Sequence, residues 1–279
     1  MSATTQRAVN TSIIHLVLGL YTILALFPIL LILINAFKSR QAIFNDPLAL
    51  PTGKNFSTAG FNKVLDNSDF ILYFSNSLIV TLVSLFFVLL LGAMVAWALS
   101  EYRFTGRRIL MLFMTMGIMV PIRLGTVSIL ETMVALNLVN TLTALVLVYI
   151  AQGLPLAIFI LSEYMEQIPK ELKEAARCDD VSEYRIFFQI ILPLTRPAIA
   201  TVAVFTMIPI WNDLWFPLIL APGEETRTLT LGVQQFIGQY VTDWNSVLAS
   251  LTLAVIPVLI LYMFFSRQLI RGLTSGAVK

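Results

Sequence analysis

Residues 174–197 read Glu174-Ala-Ala-Arg-Cys-Asp-Asp-Val-Ser-Glu-Tyr-Arg-Ile-Phe-Phe-Gln-Ile-Ile-Leu-Pro-Leu-Thr-Arg-Pro197, a polar, helix-forming stretch set between two runs apolar enough to cross a bilayer. Pro169 falls where a helix begins, because its missing amide is harmless at the first helical position. Glu171 and Glu174 then occupy the first turns, where the helix dipole favours acids. Leu172, Ala175 and Ala176 recur at spacings of three and four, a narrow apolar face of small side chains that another backbone can approach closely. Asp180-Val-Ser-Glu183 has the spacing of a capping box and predicts a second helix after Asp180. Ile186, Phe187 and Ile190 supply its apolar face until Pro193 ends it. The expectation is a helix, a turn and a helix projecting from a membrane.

The rest of the chain explains why a membrane is involved. Of 279 residues, 58% are hydrophobic and 12% charged, against about a quarter charged in ordinary soluble domains. A bilayer core about 30 Å thick takes about 20 helical residues. Six runs reach that length, at 13–37, 75–99, 109–130, 141–161, 198–220 and 247–266. Helices follow because lipid offers no partner to backbone amides, and the runs are apolar on both parities, unlike barrel strands. The fold class is therefore an all-α integral membrane protein of six spans, read as one domain over residues 1–279, with a cytoplasmic helical loop at 162–197. The first run exceeds a signal-peptide core and is read as a retained span.

Orientation comes from lysine and arginine. With the N-terminus inside, 12 of them fall in cytoplasmic segments and 5 (Lys38, Arg40, Lys54, Lys63 and Arg227) outside, with Arg123 left within a span. The positive-inside rule then places both termini and the Glu174 loop in the cytoplasm. Two outer segments are long enough to bind something or to act as solvated connectors. One runs from Lys38 to Phe74, with an amphipathic stretch around Phe61, Val64 and Leu65. The other, 221–246, carries Gln234, Gln235, Tyr240 and Trp244.

The loop resembles the EAA signature of the permease subunits of ABC importers: Glu-Ala-Ala, glycine six positions after the Glu, then Ile-x-Leu-Pro. Glu174, Ala175, Ala176, Asp179, Ile190, Leu192, Pro193 and Pro197 stand in register. Ile168-Pro169-Lys170-Glu171-Leu172, Trp211-Asn212-Asp213 and the ending Arg271-Gly272-Leu273-Thr274-Ser275-Gly276-Ala277-Val278-Lys279 extend the likeness to the carbohydrate, maltose-type branch. The resemblance implies a bacterial or archaeal cytoplasmic membrane and a permease for a sugar or oligosaccharide. It implies four kinds of partner: a second, differing permease, two ATP-binding cassette subunits, an extracytoplasmic solute-binding protein and the surrounding lipid. It also implies that Glu174, Ala175, Ala176, Asp179 and Asp180 form a coupling helix seated on an ATPase. Asp180 departs from the pattern, which favours glycine there. Asp tolerates a left-handed backbone better than most residues, so the turn survives the departure.

The chain carries no engine of its own. Gly53-Lys54 is followed by Asn55, and Leu48 stands where the first glycine of a phosphate-binding loop belongs. No cofactor is expected in this chain; ATP and magnesium are expected on partner subunits. With one histidine (His15) and one cysteine (Cys178), no metal or nucleophile set is in view. The small net charge of +2 and the lack of a basic aromatic stripe give no nucleic-acid partner. An ion-coupled carrier would carry several acids within its spans and commonly an inverted repeat. Asp213 is the one clear acid there. The alternatives are an ABC permease for a non-sugar solute and, behind it, an ion-coupled secondary carrier.

Arg123 and Asp213 are costly to place in a membrane, about 2.5–3.5 kcal/mol each near a helix centre. Counted along continuous helices, both sit about 21–23 Å from the cytoplasmic ends. Three arrangements fit: a direct bridge, separate positions on a translocation path with Trp211, Asn212 and Trp215, or extension of Arg123 to the headgroups. A bridge would let an exchange of the two charges restore part of the function.

Overall fold

The computed structural model describes residues 3–66, 69–237 and 242–275. Tyr240 and the last four residues, 276–279, which entered the sequence expectations, lie outside the described residues. In chain order the helices are α1 (Ala3–Ala36), α2 (Arg40–Asn45), α3 (Ala59–Asp66), α4 (Phe70–Glu101), α5 (Arg107–Met119), α6 (Thr126–Ala135), α7 (Leu142–Met165), α8 (Lys170–Cys178), α9 (Glu183–Arg185), α10 (Leu192–Leu194), α11 (Arg196–Trp211), α12 (Trp215–Leu220), α13 (Leu229–Val233) and α14 (Trp244–Ser275). Extended pairing among the described residues is limited to two isolated bridges, Lys38 with Phe56 and Ile237 with Thr242.

Among the described residues three helices are long and apolar enough to span unaided: Thr11–Ala36 within α1, α4 and α7. The expected runs at 109–130 and 198–220 are not single helices. The first breaks into α5, a 3₁₀ turn at Ile122–Gly125 and α6, with an 89° bend. Its cause is Pro121, which lacks an amide and holds Val120 extended at φ −82°, ψ 117°. The second breaks at 212–214, between α11 and α12. The last expected run forms α14, apolar over Trp244–Ile260.

The chain divides into two compact units, residues 1–71 with 233–256 and residues 72–232 with 257–279. In the first, residues 11–28 of α1 are exposed on every side, as suits a helix whose solvent is lipid. The amphipathic stretch expected around Phe61 forms α3, with Val64 buried and the Phe61 ring 4.6 Å from that of Phe37. Gly60 is required there, because a Cβ would come within 2.3 Å of the Asn245 carbonyl oxygen. Lys38 is fully buried; its ammonium donates to Asn35 Oδ1 (3.1 Å) and to the carbonyls of Asp46 (2.8 Å) and Pro47 (3.0 Å). A cation placed just beyond α1 also meets the negative end of its dipole.

In the second unit α4, α7 and α11 pack through small residues, the usual device where lipid gives helices no hydrophobic drive to associate. A Cβ on Gly92 of α4 would lie 2.8 Å from that of Ala157 on α7. One on Gly153 would lie 2.8 Å from Val88 and 3.1 Å from Thr206. The core nearest the Glu174 loop collects Trp97, Leu161, Met165, Ala176, Ile186, Phe187 and Ile191. A second core, around Tyr149, Ile210, Phe216 and Leu220, surrounds the break after α11.

Candidate functional site: the projecting hairpin and the paired helix breaks

The helix, turn and helix expected of the loop are present, with local corrections. Pro169 is the N-cap of α8 and Lys170 its first residue. Asp180 has φ 54°, the left-handed conformation that glycine adopts at no steric cost and that Asp tolerates. It does not cap the next helix. Ser182 precedes α9, and the Glu183 carboxylate accepts from Arg177 instead of reaching back to the chain. Nor does Pro193 end the second helix. A π-helical stretch at Ile186–Ile191 leads into α10, and the bend of 74° comes after Leu194. The wider π turn relieves the clash between a proline ring and the carbonyl four residues back.

The two faces of α8 are sorted. Lys173 and Ala176 are buried and Arg177 half-buried, whereas Leu172, Glu174, Ala175, Asp179 and Asp180 are exposed. Ala176 thus packs into the chain's own core and does not belong to the outward face on which the sequence spacing placed it. The physical reason is rotation. Positions 173, 176 and 177 share one side of the helix, and charged residues at 173 and 177 hid from the sequence pattern that this side is the inner one.

What turns it inward is the last residue of α4. Glu101 accepts from Lys173 Nζ on one oxygen and from Arg177 Nη2 (2.7 Å) on the other. Arg177 Nε donates to Glu183 Oε1 (2.7 Å), and the Tyr102 hydroxyl donates to Glu183 Oε2 (2.9 Å). The Lys173 ammonium also stands 5.4 Å from the centre of the Trp97 ring. Hydrogen bonds to Glu183 and then to Glu101 hold the Arg177 guanidinium above its ordinary pKa, with burial opposing. Sequence reasoning missed Trp97, Glu101, Tyr102 and Lys173. Two signals were available: an acid at a helix C-terminus opposes the dipole, and like charges four apart on α8 repel without a counter-ion.

Arg123 and Asp213 meet, with Nη2 3.3 Å from Oδ1. The equal-depth argument does not explain the contact, because neither residue lies in a continuous helix. Arg123 is in the 3₁₀ turn and Asp213 in the break. Four donors converge on Asp213: Arg123, the Tyr149 hydroxyl (2.9 Å) and the amides of Trp215 (3.2 Å) and Phe216 (3.1 Å). The two amides are unsatisfied first-turn donors of α12, so Asp213 starts that helix as a cap does. The Trp215 indole donates to Thr126 Oγ1 (3.0 Å) and its ring lies 5.9 Å from the Arg123 guanidinium. The two broken spans are therefore tied at their breaks.

Of the five residues expected on a path, Trp211 and Asp213 are buried, and Arg123, Asn212 and Trp215 are exposed. Trp211 packs edge-on to Phe74, ring centres 5.8 Å apart. Beside Arg123 opens a cleft of about 840 Å³ between α5 and α7, walled by Phe113, Gly117, Pro121, Gln152 and Pro155. Among the described residues no group of three His, Cys, Asp or Glu could hold a metal ion.

These features define a multi-pass helical membrane protein with a charged hairpin clamped to one end of its bundle. The chain belongs to the family of binding-protein-dependent transport system inner membrane components, whose pattern matches residues 88–275. It is 35% identical to a putative ABC transporter permease protein of Caldicellulosiruptor sp. strain Rt8B.4 over 94% of each chain. It is 32% identical to the diacetylchitobiose uptake system permease protein NgcG of Streptomyces coelicolor, covering 96% of this chain and 89% of that one. Identity is also 32% to the arabinooligosaccharides transport system permease protein AraQ of Halalkalibacterium halodurans, over 92% of each. A chain from the crystal structure of a bacterial ABC transporter involved in alginate import shares the fold, with a TM-score of 0.80 at 22% identity over 96% of this chain and 98% of that one.

Proposed function

We propose that this chain is one of two permease subunits of an ATP-driven importer of a sugar or oligosaccharide, in a prokaryotic cytoplasmic membrane with both termini inside. ATP and magnesium bind partner cassette subunits, and an extracytoplasmic solute-binding protein delivers the cargo. The observation that carries the reading is the sorting of α8: one face is fixed to the chain by the ion pairs of Lys173 and Arg177 with Glu101, while Leu172, Glu174, Ala175 and Asp179 are presented outward. Relatives at about a third identity that carry oligosaccharide uptake names support the cargo class.

In this reading the outward face seats on the ATPase, and Asp179 and Asp180 shape the turn that ends it. Arg123, which lines the apolar cleft, Trp215 beside it and the exposed Asn212 are the groups of this chain proposed to meet a solute, pairing an aromatic face with polar donors. Trp211 and Asp213 support them from behind. The test is purification of the complex from its own membrane, with companions identified by mass spectrometry. An ATP-binding subunit should accompany the wild type, and Glu174→Lys or Ala175→Phe should release it or leave its hydrolysis uncoupled from uptake while the permease stays inserted. Wild-type association and coupling in both variants would refute the docking role.

A further inference from the structure

An isolated helix shorter than about 12–15 residues is marginal in water, so α8, with nine residues, takes its orientation from what it touches. What it touches is the inner end of α4. The Glu101 carboxylate receives Lys173 and Arg177, one turn apart on α8, and so fixes both the position and the rotation of that helix. The next residue, Tyr102, holds Glu183 on the other arm of the hairpin. Trp97, one turn earlier, lies under Lys173 and 6.3 Å from the Phe187 ring. Both arms of the hairpin are thus gripped within one and a half turns of α4.

The other end of α4 is also gripped. Asn76 Nδ2 donates to the carbonyls of Glu225 (2.8 Å) and Arg227 (3.0 Å), and the Leu229 amide donates to Ser77 Oγ (2.8 Å). Gly232 lets that segment lie against the Tyr73 ring, where a Cβ would come within 2.3 Å of a ring carbon. From Asn76 to Glu101 is 25 residues, about 38 Å of helix. Of the four described helices longer than twenty residues, α1, α7 and α14 each contain a proline, while α4 contains none. Proline is the commonest source of a sharp helix kink.

We propose that α4 is the transmission rod of this subunit, with Glu101 and Asn76 as positioning residues at its two ends. A displacement delivered to the outward face of α8 passes through the Glu101 carboxylate into α4 and emerges at the segment 225–229, without passing through the proline-containing spans. This inference rests on the ATP-driven reading above, and it adds which helix carries the motion and which residues attach it.

The test uses the full complex, reassembled after the ATPase-stripped permease has been labelled with a nitroxide on Cys178, which is exposed, or on a cysteine replacing Glu224, also exposed, in a Cys178→Ser background. Spectra are compared without nucleotide and after trapping with ATP and vanadate. In the wild type both labels respond. In Glu101→Gln the response at position 224, read per bound ATPase, falls at least fivefold. The charge exchange, Glu101→Lys combined with Lys173→Glu, restores more of that response than Glu101→Lys alone leaves. Asn76→Ala keeps the Cys178 response and loses the one at 224, a split that general destabilisation would not produce. A full response at 224 in Glu101→Gln or in Asn76→Ala overturns the rod. If Glu101→Gln fails to assemble, Asn76→Ala and Tyr102→Phe decide on the same readout. Absence of any nucleotide response at Cys178 in the wild type would instead refute the ATP-driven reading.

Discussion

Arg123 and Asp213 form one ion pair but should respond very differently to mutation. The Asp213 side chain is 7% exposed and Arg123 65%. Removing the Asp213 carboxylate by Asp213→Ala strands the Tyr149 hydroxyl and the Phe216 amide, both on residues only 2% exposed. At about 1–3 kcal/mol for each orphaned buried donor, the loss is about 2–6 kcal/mol before Arg123 is counted. Arg123→Gln removes an exposed partner, worth about 0–1 kcal/mol. For a domain of this size about 2–4 °C of melting midpoint accompanies each kcal/mol, so Asp213→Ala should lower the midpoint by at least about 4 °C and Arg123→Gln by less. The assay is size-exclusion of the detergent-solubilised complex after graded heating, with uptake measured in parallel. Because Asp213 serves three donors besides Arg123, exchanging the two charges should fail to restore either property, despite the contact. Equal destabilisation by the two single variants, or rescue by the exchange, would refute the view that Asp213 chiefly organises the helix break.

At Asp180, φ 54° predicts that Asp180→Gly and Asp180→Asn change hairpin stability by less than about 0.5 kcal/mol, whereas Asp180→Val costs about 1–2 kcal/mol for a left-handed backbone; ATPase retention during purification reads the difference. Cys178 should be missed by an impermeant maleimide in right-side-out vesicles and reached in inverted ones once the ATPase is stripped, and labelling from outside would overturn the orientation. Burial acts to raise the Asp243 pKa, but hydrogen bonds from Lys63 and Ser246 outweigh it and leave it below the usual carboxylate value. With a folded pKa below the unfolded one, the stabilisation is complete above about pH 4 and is lost as pH falls through the folded pKa. Proteolysis around Lys63 and Asp243 should therefore be steady from pH 8 to 5 in the wild type and faster throughout that range in Asp243→Ala.

Much of the hairpin was legible because its signals are local. Pro169, the acids of the first turns and the left-handed turn at Asp180 each depend on a few consecutive backbone angles, and a sequence prints those directly. The breaks were less legible. A proline such as Pro121 permits a kink, but an 89° bend with a 3₁₀ turn depends on where α7 leaves room. The break at Asn212–Leu214 depends on a carboxylate finding two amides and a distant tyrosine. Its consequence was that the depth argument pointed to the right pair for a reason the structure does not support. The inner face of α8 was misread at Ala176 because apolar periodicity counts only apolar residues, while here a lysine and an arginine face inward.

By itself the sequence determined the class of solvent, the approximate spans, the balance of charge across them and the place of the projecting hairpin. All of these follow from composition and from interactions between residues a few positions apart. Only the tertiary structure decided which face of the hairpin is presented, that Glu101 holds it, that two helices are broken rather than straight, and that Arg123, Tyr149 and Asp213 meet. Those outcomes rest on pairs separated by 64 to 90 residues, and a buried charge has no preferred partner until packing removes its access to water and leaves one within reach.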